Sequence, residues 1–542
     1  MFRAAALTAA CVAGPTPHRT PPPASTDSAL TLGDEQLCAD PVAGLDRFVD
    51  ETDARGLGVE LGEEGPVLSG GNRAGTLVAE DMDADGDIDL VLPSNFWRPR
   101  IFGNDGSGYF TEEPPVPGVP SVLAHLAADL DGDGLPELVQ CGVGRVVVWT
   151  NLGGLAFSEP ETVLELPLPY PLCATIAAGD IDLDGDIDLA MPASGAVEDA
   201  CELDGSCPSS GIGGPVTVLV NDGGAYHVGA TLRFGEVDGW SLAATMTDHD
   251  ADGDLDLFVL SDRSNSGLAP EDVPPNALYR NDGPGPDGEI VWVDEAEARE
   301  LAIPMSGMGF ATGDYNEDGR LDYCASDAGP VRCFYSWDEI YYDAGLALGL
   351  TPSVSDPAVW FGWSVEIVDL DYDGLLDAFV SAGRPSSDAT SALQPDLLFQ
   401  GTPEGFEDIS AATGFGSDGD DFGAAAADLD GDGYLEMVIL PALGRPQLYA
   451  NHCGAEAWLA VDLVGPPGNR AGLGARIEVD VGDRRYTQEI QGLRSLGQSP
   501  SMAWFGLGDA VHADRLAVVW PGGDRQEFLD VPARRRVTVR AE

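Results

Sequence analysis

Asp81-Met82-Asp83-Ala84-Asp85-Gly86-Asp87-Ile88-Asp89 is the stretch that decides how this chain is read. Carboxylates stand at positions one, three, five, seven and nine, and glycine stands at position six. Short acids two residues apart can point to one centre, a backbone carbonyl at position seven can add an oxygen, and position nine can close the shell. That arrangement suits Ca²⁺, which takes about six to eight oxygen ligands. A glycine at the sharp turn avoids the steric cost of a Cβ. A single run of this kind is as consistent with a solvated turn as with a metal loop.

The run returns six more times. The first copy offers Asp81, Asp83, Asp85, Asp87 and Asp89, and the second Asp129, Asp131, Asp133 and Glu137. The third offers Asp180, Asp182, Asp184, Asp186 and Asp188, and the fourth Asp248, Asp250, Asp252, Asp254 and Asp256. The fifth has Asp314, Asn316, Asp318 and Asp322, the sixth Asp369, Asp371, Asp373 and Asp377, and the seventh Asp428, Asp430, Asp432 and Glu436. The copies hold 31 of the 92 carboxylates in the chain, with glycine at position six each time, and generic acidity does not order residues this way. These residues are the expected metal ligands, with Ca²⁺ as cofactor at up to seven sites.

Short apolar runs flank each copy, such as Gly75-Thr-Leu-Val-Ala79 before the first and Leu90-Val-Leu92 after it. That pattern predicts strand–loop–strand. An EF-hand would place the loop between helices and a Glu at position twelve. Here position twelve is Leu92, Gln140, Met191 or Val259. Asn-Asp-Gly phrases, as at Asn104, Asn221 and Asn281, predict hairpins. Aromatic strands follow, among them Phe48, Tyr109, Phe157, Trp292, Tyr341 and Phe406. The loops are 48, 51, 68, 66, 55 and 59 residues apart. Several short strands per repeat at such a period predict an all-β fold, a seven-bladed β-propeller over residues 44–453.

The loop motif with Leu278-Tyr-Arg-Asn-Asp-Gly283, and above all the run from Met308 to Asp322, resembles the FG-GAP/VCBS repeat of integrin α-chain propellers. The resemblance implies that the loop aspartates bind Ca²⁺. Asn316 departs from the pattern as a neutral oxygen ligand, and Glu137 and Glu436 replace the ninth Asp. Residues 456–542, with Trp458-Leu-Ala-Val461, Asn469-Arg-Ala-Gly472 and Arg515 to Gly523, resemble the ASPIC/UnbV domain found after such propellers in the cartilage acidic protein family and in bacterial exported proteins. Where that family usually has Ser-Gln-Asn, this chain has Gly497-Gln498-Ser499. The domain reads as a small all-β module.

The net charge of −65 makes nucleic acid an improbable partner, since phosphate binding needs clustered cations. All 27 basic residues are Arg. Residues 1–11 read as an export signal, or else as a frayed terminus, and the small residues before Cys11 resemble a lipobox. Residues 12–43, rich in Pro, Thr and Ser, read as a tether. Lipid on Cys11 is the only expected membrane contact, because the sequence has no apolar run of 18 residues. Without Cys11, eight cysteines remain, an even number as in an oxidised exported protein. Cys201 and Cys207 can close a small loop, Cys324 and Cys333 flank a turn, and Cys141 with Cys173 and Cys38 with Cys453 follow by elimination.

The six histidines form no metal or catalytic motif, and there is no GxSxG elbow. His249, at loop position two, is expected to point to solvent. Trp97, Trp240, Trp360 and Trp363 offer either a sugar platform or core packing. The function expected is a non-catalytic, exported, calcium-binding monomer that acts as an adhesion or interaction scaffold, secreted or at a bacterial cell surface, for an extracellular protein or glycan. Glycan binding as a lectin, or a hydrolase site on the propeller axis, are the alternatives.

Overall fold

A computed structural model describes residues 29–542 except 40, 43, 62–75, 94–98, 118–123, 142–143, 166–169, 174, 198–213, 234–240, 263–273, 287, 355–359, 384–393, 417–418, 442–443 and 493–495. The expected signal, Cys11 and its lipid, Trp97, Trp240 and the Cys201–Cys207 loop lie outside the described residues.

Each predicted strand–loop–strand unit is the inner half of a four-stranded antiparallel sheet. Blade one runs Leu77–Glu80, Asp89–Pro93, Pro99–Asn104 and Phe110–Glu112. Loop one joins its first two strands, and the other loops do the same in their blades. The innermost strands that follow are Ala124–Ala128, Ala177–Gly179, Ser241–Thr247, Phe310–Gly313, Gly362–Val368 and Asp421–Ala427. Among the described residues there are seven such sheets, the first joined on its inner edge by a fifth strand. The last inner strand lies against the first, and the two flanking blades share one core of Leu77, Ala79, Leu90, Ala425, Ala427 and Val438. Inner strands such as Ser241–Thr247 and Asp421–Ala427 are buried along their whole length and rich in alanine, because both faces pack against neighbouring blades.

The aromatic strand Phe48–Asp50 does not belong to the blade that follows it in sequence. It pairs with Gln447–Asn451 and becomes the outer strand of blade seven. Closing a ring with a strand from the other end of the chain removes the exposed sheet edge. The Cys38–Cys453 disulfide pins the same closure, and Cys141–Cys173 and Cys324–Cys333 are also formed.

The C-terminal domain has two four-stranded sheets. Ala457–Val464, Met502–Gly508 and Arg535–Arg540 take Leu30–Leu32 as an edge strand, and Arg476–Val481, Arg484–Glu489, His512–Val519 and Arg525–Pro532 form the other sheet. Their core is continuous with blades two and three through Leu126, Ala178, Leu459, Ile477 and Phe505. No described helix is long and apolar enough to cross a membrane.

The segment before Met502 enters the ring. Gly497–Gln498 pairs in parallel with Leu77–Val78 of blade one. Gln498 bridges to blade two, receiving Ala127 N–H at 2.9 Å and donating Nε2–H to Ala127 O at 2.8 Å. Ser499 Oγ accepts from Ala426 N in blade seven at 3.1 Å. A Cβ on Gly497 would lie 1.8 Å from Ala424 O, which is why glycine stands there. Leu496 then meets Leu242, Met308, Trp363 and Phe422, so the propeller axis is packed. Trp360 and Trp363 are each 1% exposed and belong to the core, not to a sugar platform.

Candidate metal centres

The loops owe their shape to backbone donors. At position six, Gly86, Gly134, Gly185, Gly253, Gly319, Gly374 and Gly433 all have φ between +85° and +101°. The N–H at this position donates to the position-one carboxylate, as in Gly86 to Asp81 Oδ2 at 3.0 Å, Gly185 to Asp180 at 3.1 Å and Gly374 to Asp369 at 2.8 Å. Position four is left-handed as well, in Ala84, Leu183, Ala251, Glu317, Tyr372, Gly132 and Gly431. Sequence reading missed this second constraint, although glycine at two of the seven copies was its trace.

Three oxygens within 4.8 Å of one another come together in Asp81, Asp83 and Asp85; in Asp129, Asp131 and Glu137; in Asp180, Asp182 and Asp188; in Asp248, Asp250 and Asp252; and in Asp369, Asp371 and Asp377. In loop five, Asp318 N donates to Asp314 Oδ1 at 2.9 Å and to Asn316 Oδ1 at 3.0 Å. In loop seven, Asp430 Oδ1 accepts Asp432 N at 3.2 Å and Asp432 Oδ1 accepts Tyr434 N at 2.9 Å. Asp87, Asp186 and Asp254, at position seven, are not among these trios, and Asp133, Asp184 and Asp373, at position five, each accept the position-seven N–H at 2.8 to 2.9 Å.

The ninth residue has a role beyond the expected shell closure. One oxygen of Asp89, Glu137, Asp188, Asp256, Asp322, Asp377 and Glu436 accepts the position-two N–H, at 2.7 to 3.1 Å. In loops one to six the other oxygen accepts a backbone N–H from the third strand, of Asn104, Asn151, Asn221, Asn281, Ser336 or Gly401. The ninth acid therefore latches loop to sheet. The neighbouring Asn staples blades together: Asn104 Nδ2 donates to Leu429 O, Asn151 to Met82 O, Asn281 to Ile181 O and Asn451 to Leu370 O.

Those carbonyls belong to position two, whose side chains face inward between blades. His249 follows the rule. It is 8% exposed, not solvated as its position suggested, with Nε2 3.9 Å from Glu295 and 4.0 Å from Asp256. Burial pushes its pKa down to about 4, so it is neutral.

The loop set fits a divalent cation on two counts. Burial first, then neighbouring carboxylates, pushes Asp188 and Asp428 up to about 8, Asp256 up to about 9, and Asp369 and Asp377 well above the usual range. Such groups need either a proton or a counter-charge. Moreover, Oδ1 of Asp129, Asp180, Asp369 and Asp428 is buried with no hydrogen-bond partner, on the side that the position-six N–H does not use. Buried acceptors are normally satisfied.

The C-terminal domain lies over every loop. Arg536 Nη1 donates to Gly86 O and Arg470 Nε to Gly132 O. Gly468 sits against Gly185 O, where a Cβ would come within 1.8 Å. Arg476 Nη2 reaches Asp248 O at 2.6 Å, and Arg484 pairs with Glu317. Gly508 N donates to Tyr372 O at 3.1 Å, and the Tyr434 hydroxyl to Glu456 O at 2.9 Å.

Family models match this chain as FG-GAP-like repeats over residues 81–140, 129–191 and 248–325, and as "ASPIC and UnbV" over 465–542. Cartilage acidic protein 1 of Mus musculus is 24% identical over 276 residues, which span 49% of this chain and 41% of that protein. Among solved structures, BP39L lectin from Burkholderia pseudomallei is similar at 11% identity, covering 70% of this chain and 97% of its own, with a TM-score of 0.46. A lectin of Agrocybe aegerita, solved for its recognition of non-reducing terminal N-acetylglucosamine, is similar at 17% identity, covering 61% and 78%, with a TM-score of 0.37. The chain is a protein of FG-GAP-like repeats with a C-terminal ASPIC and UnbV domain.

Proposed function

We propose that this protein is an exported, non-catalytic interaction scaffold whose seven loops bind Ca²⁺, with the cations fixing the turns that present a surface to an extracellular macromolecule. The observation that carries the reading is the buried, unpartnered Oδ1 at position one of loops two, three, six and seven, beside two further carboxylates in loops two, three and six. Each cation would be held by the position-one and position-three oxygens, joined by position five in loops one and four and by position nine in loops two, three and six. It supplies positive charge and no redox chemistry. Three disulfides support an oxidising compartment. A packed axis speaks for a scaffold over a hydrolase with its site there. The test is retention of a partner from extracellular material on the immobilised full chain. Retention with Ca²⁺ and its loss with EGTA support the reading; equal retention in both contradicts the calcium dependence.

Glycan binding is the second reading, favoured by a groove of about 410 Å³ between blades three and four. Trp292 gives it an indole face with a buried, unpartnered Nε1–H, and His227, Asp222 and Glu289 add polar groups. An apolar ring face with a few polar groups is the usual composition of a sugar site. A glycan array that stays blank with Ca²⁺ present would remove this reading.

A further inference from the structure

Loop six differs from the others in what covers it. Asp369, Asp371 and Asp377 are 7%, 4% and 1% exposed, and only Asp373 among its acids reaches solvent. In loop one, Asp81 and Asp83 are half-buried, and Ala84, Asp85 and Gly86 are exposed. The cover over loop six is the Met502–Gly508 strand of the C-terminal domain. Gly506 lies so near that a Cβ would sit 1.8 Å from Asp369 Oδ2, and Gly508 N donates to Tyr372 O. The Tyr486 hydroxyl reaches Gly374 O at 3.5 Å, and Arg484 anchors the rim on Glu317. Asp369 Oδ1, buried and unpartnered, is left inside. A cavity of about 30 Å³ beside it is lined by Asp369, Asp314, Thr487 and Trp504.

We propose that loop six holds its cation beneath the C-terminal domain, so that this cation leaves only when the domain lifts, while the cation of loop one exchanges freely with solvent. The proposal rests on the calcium reading. A cation held by Asp369, Asp371 and Asp377 would sit among carboxylates that are each at most 7% exposed, and opening a packed domain face is a sub-global event slower than ligand exchange in an exposed loop. The C-terminal domain thereby becomes a clamp on the metal, and the metal a tie that keeps the domain seated.

The experiment counts and times the cations on the full chain. Equilibrium dialysis with ⁴⁵Ca²⁺ gives the number bound, and mixing with excess EGTA gives their release. A fast phase is expected from the exposed loops, with a slow phase of about one cation at least tenfold slower. Gly506→Ala drives a methyl group toward Asp369 and should accelerate or abolish the slow phase while leaving the fast one. Should that variant fail to fold, Arg484→Ala removes the rim anchor without touching a loop-six carboxylate, and should shorten the slow phase. Release of all cations in a single fast phase overturns the proposal. So does a slow phase that neither variant changes. No bound cation in the dialysis would instead contradict the calcium reading itself.

Discussion

Loop one and loop six are built with the same hydrogen bonds. Gly86 and Gly374 each donate to the position-one carboxylate, and Met82 and Leu370 each donate to the ninth acid. They differ in cover. Loop one opens to solvent with one arginine over Gly86 O, whereas loop six lies beneath a strand that leaves no room for a side chain at Gly506. Identical local chemistry therefore gives two environments, one governed by screened charge and one by burial. The difference comes from a domain more than 100 residues further along the chain.

Removing the metal should reveal the whole effect. Without cations the carboxylates repel one another, and those of loop six have no water to solvate them. EGTA should lower the melting temperature by more than about 10 °C, since a ligand that binds only the folded state stabilises it by mass action at every site. An unchanged melting curve would contradict structural calcium. Single substitutions then separate the two loops. Asp377→Ala removes the acceptor for Leu370 N and Gly401 N inside the protein and should cost about 3 kcal/mol. Asp85→Ala in the exposed loop should cost about 1 kcal/mol. Equal losses in urea melts would show that burial does not set the difference.

The seating of the C-terminal domain can be tested at the axis. Gln498→Ala removes both hydrogen bonds to Ala127 and should cost about 2 kcal/mol, read as faster proteolytic release of the C-terminal domain. The smallest effect expected is on pH dependence within that domain. The arginine cluster Arg515, Arg525 and Arg485, overcoming burial, holds the Glu478 and Asp480 carboxyls down to about 2. Folded-state pKa values below the unfolded ones mean stability that is complete above about pH 4 and lost as pH falls toward 2. Glu478→Gln should flatten that acid limb by lowering stability at neutral pH, where the ionised carboxyl contributes, with the two proteins converging as pH falls toward 2.

The seven loops were legible because hard-cation chemistry demands acids at fixed spacing and a glycine at the turn, and both leave residues behind. The strands were legible from apolar runs on either side. Position four was harder to see, because five of its seven residues carry a Cβ despite positive φ. The outward reading of His249 failed because position two is set by blade-to-blade packing, which a nine-residue motif does not encode. Phe48–Asp50 looked like part of the first repeat because sequence order hides ring closure. Gln498 stood out in the sequence only as part of Gly497-Gln498-Ser499, a departure from a family's Ser-Gln-Asn with no role attached to it. Its side chain imitates a strand's backbone groups, and only the inner strand of blade two gives it a partner.

Calcium content of the purified full chain tests the central claim most directly. After equilibration in millimolar Ca²⁺ and dialysis into metal-free buffer without chelator, elemental analysis should find bound calcium, at least one ion and up to seven per chain. A brief EGTA wash should strip most of it and leave the loop-six ion behind. Calcium at background level before the wash, in a chain that melts cooperatively, would contradict the account.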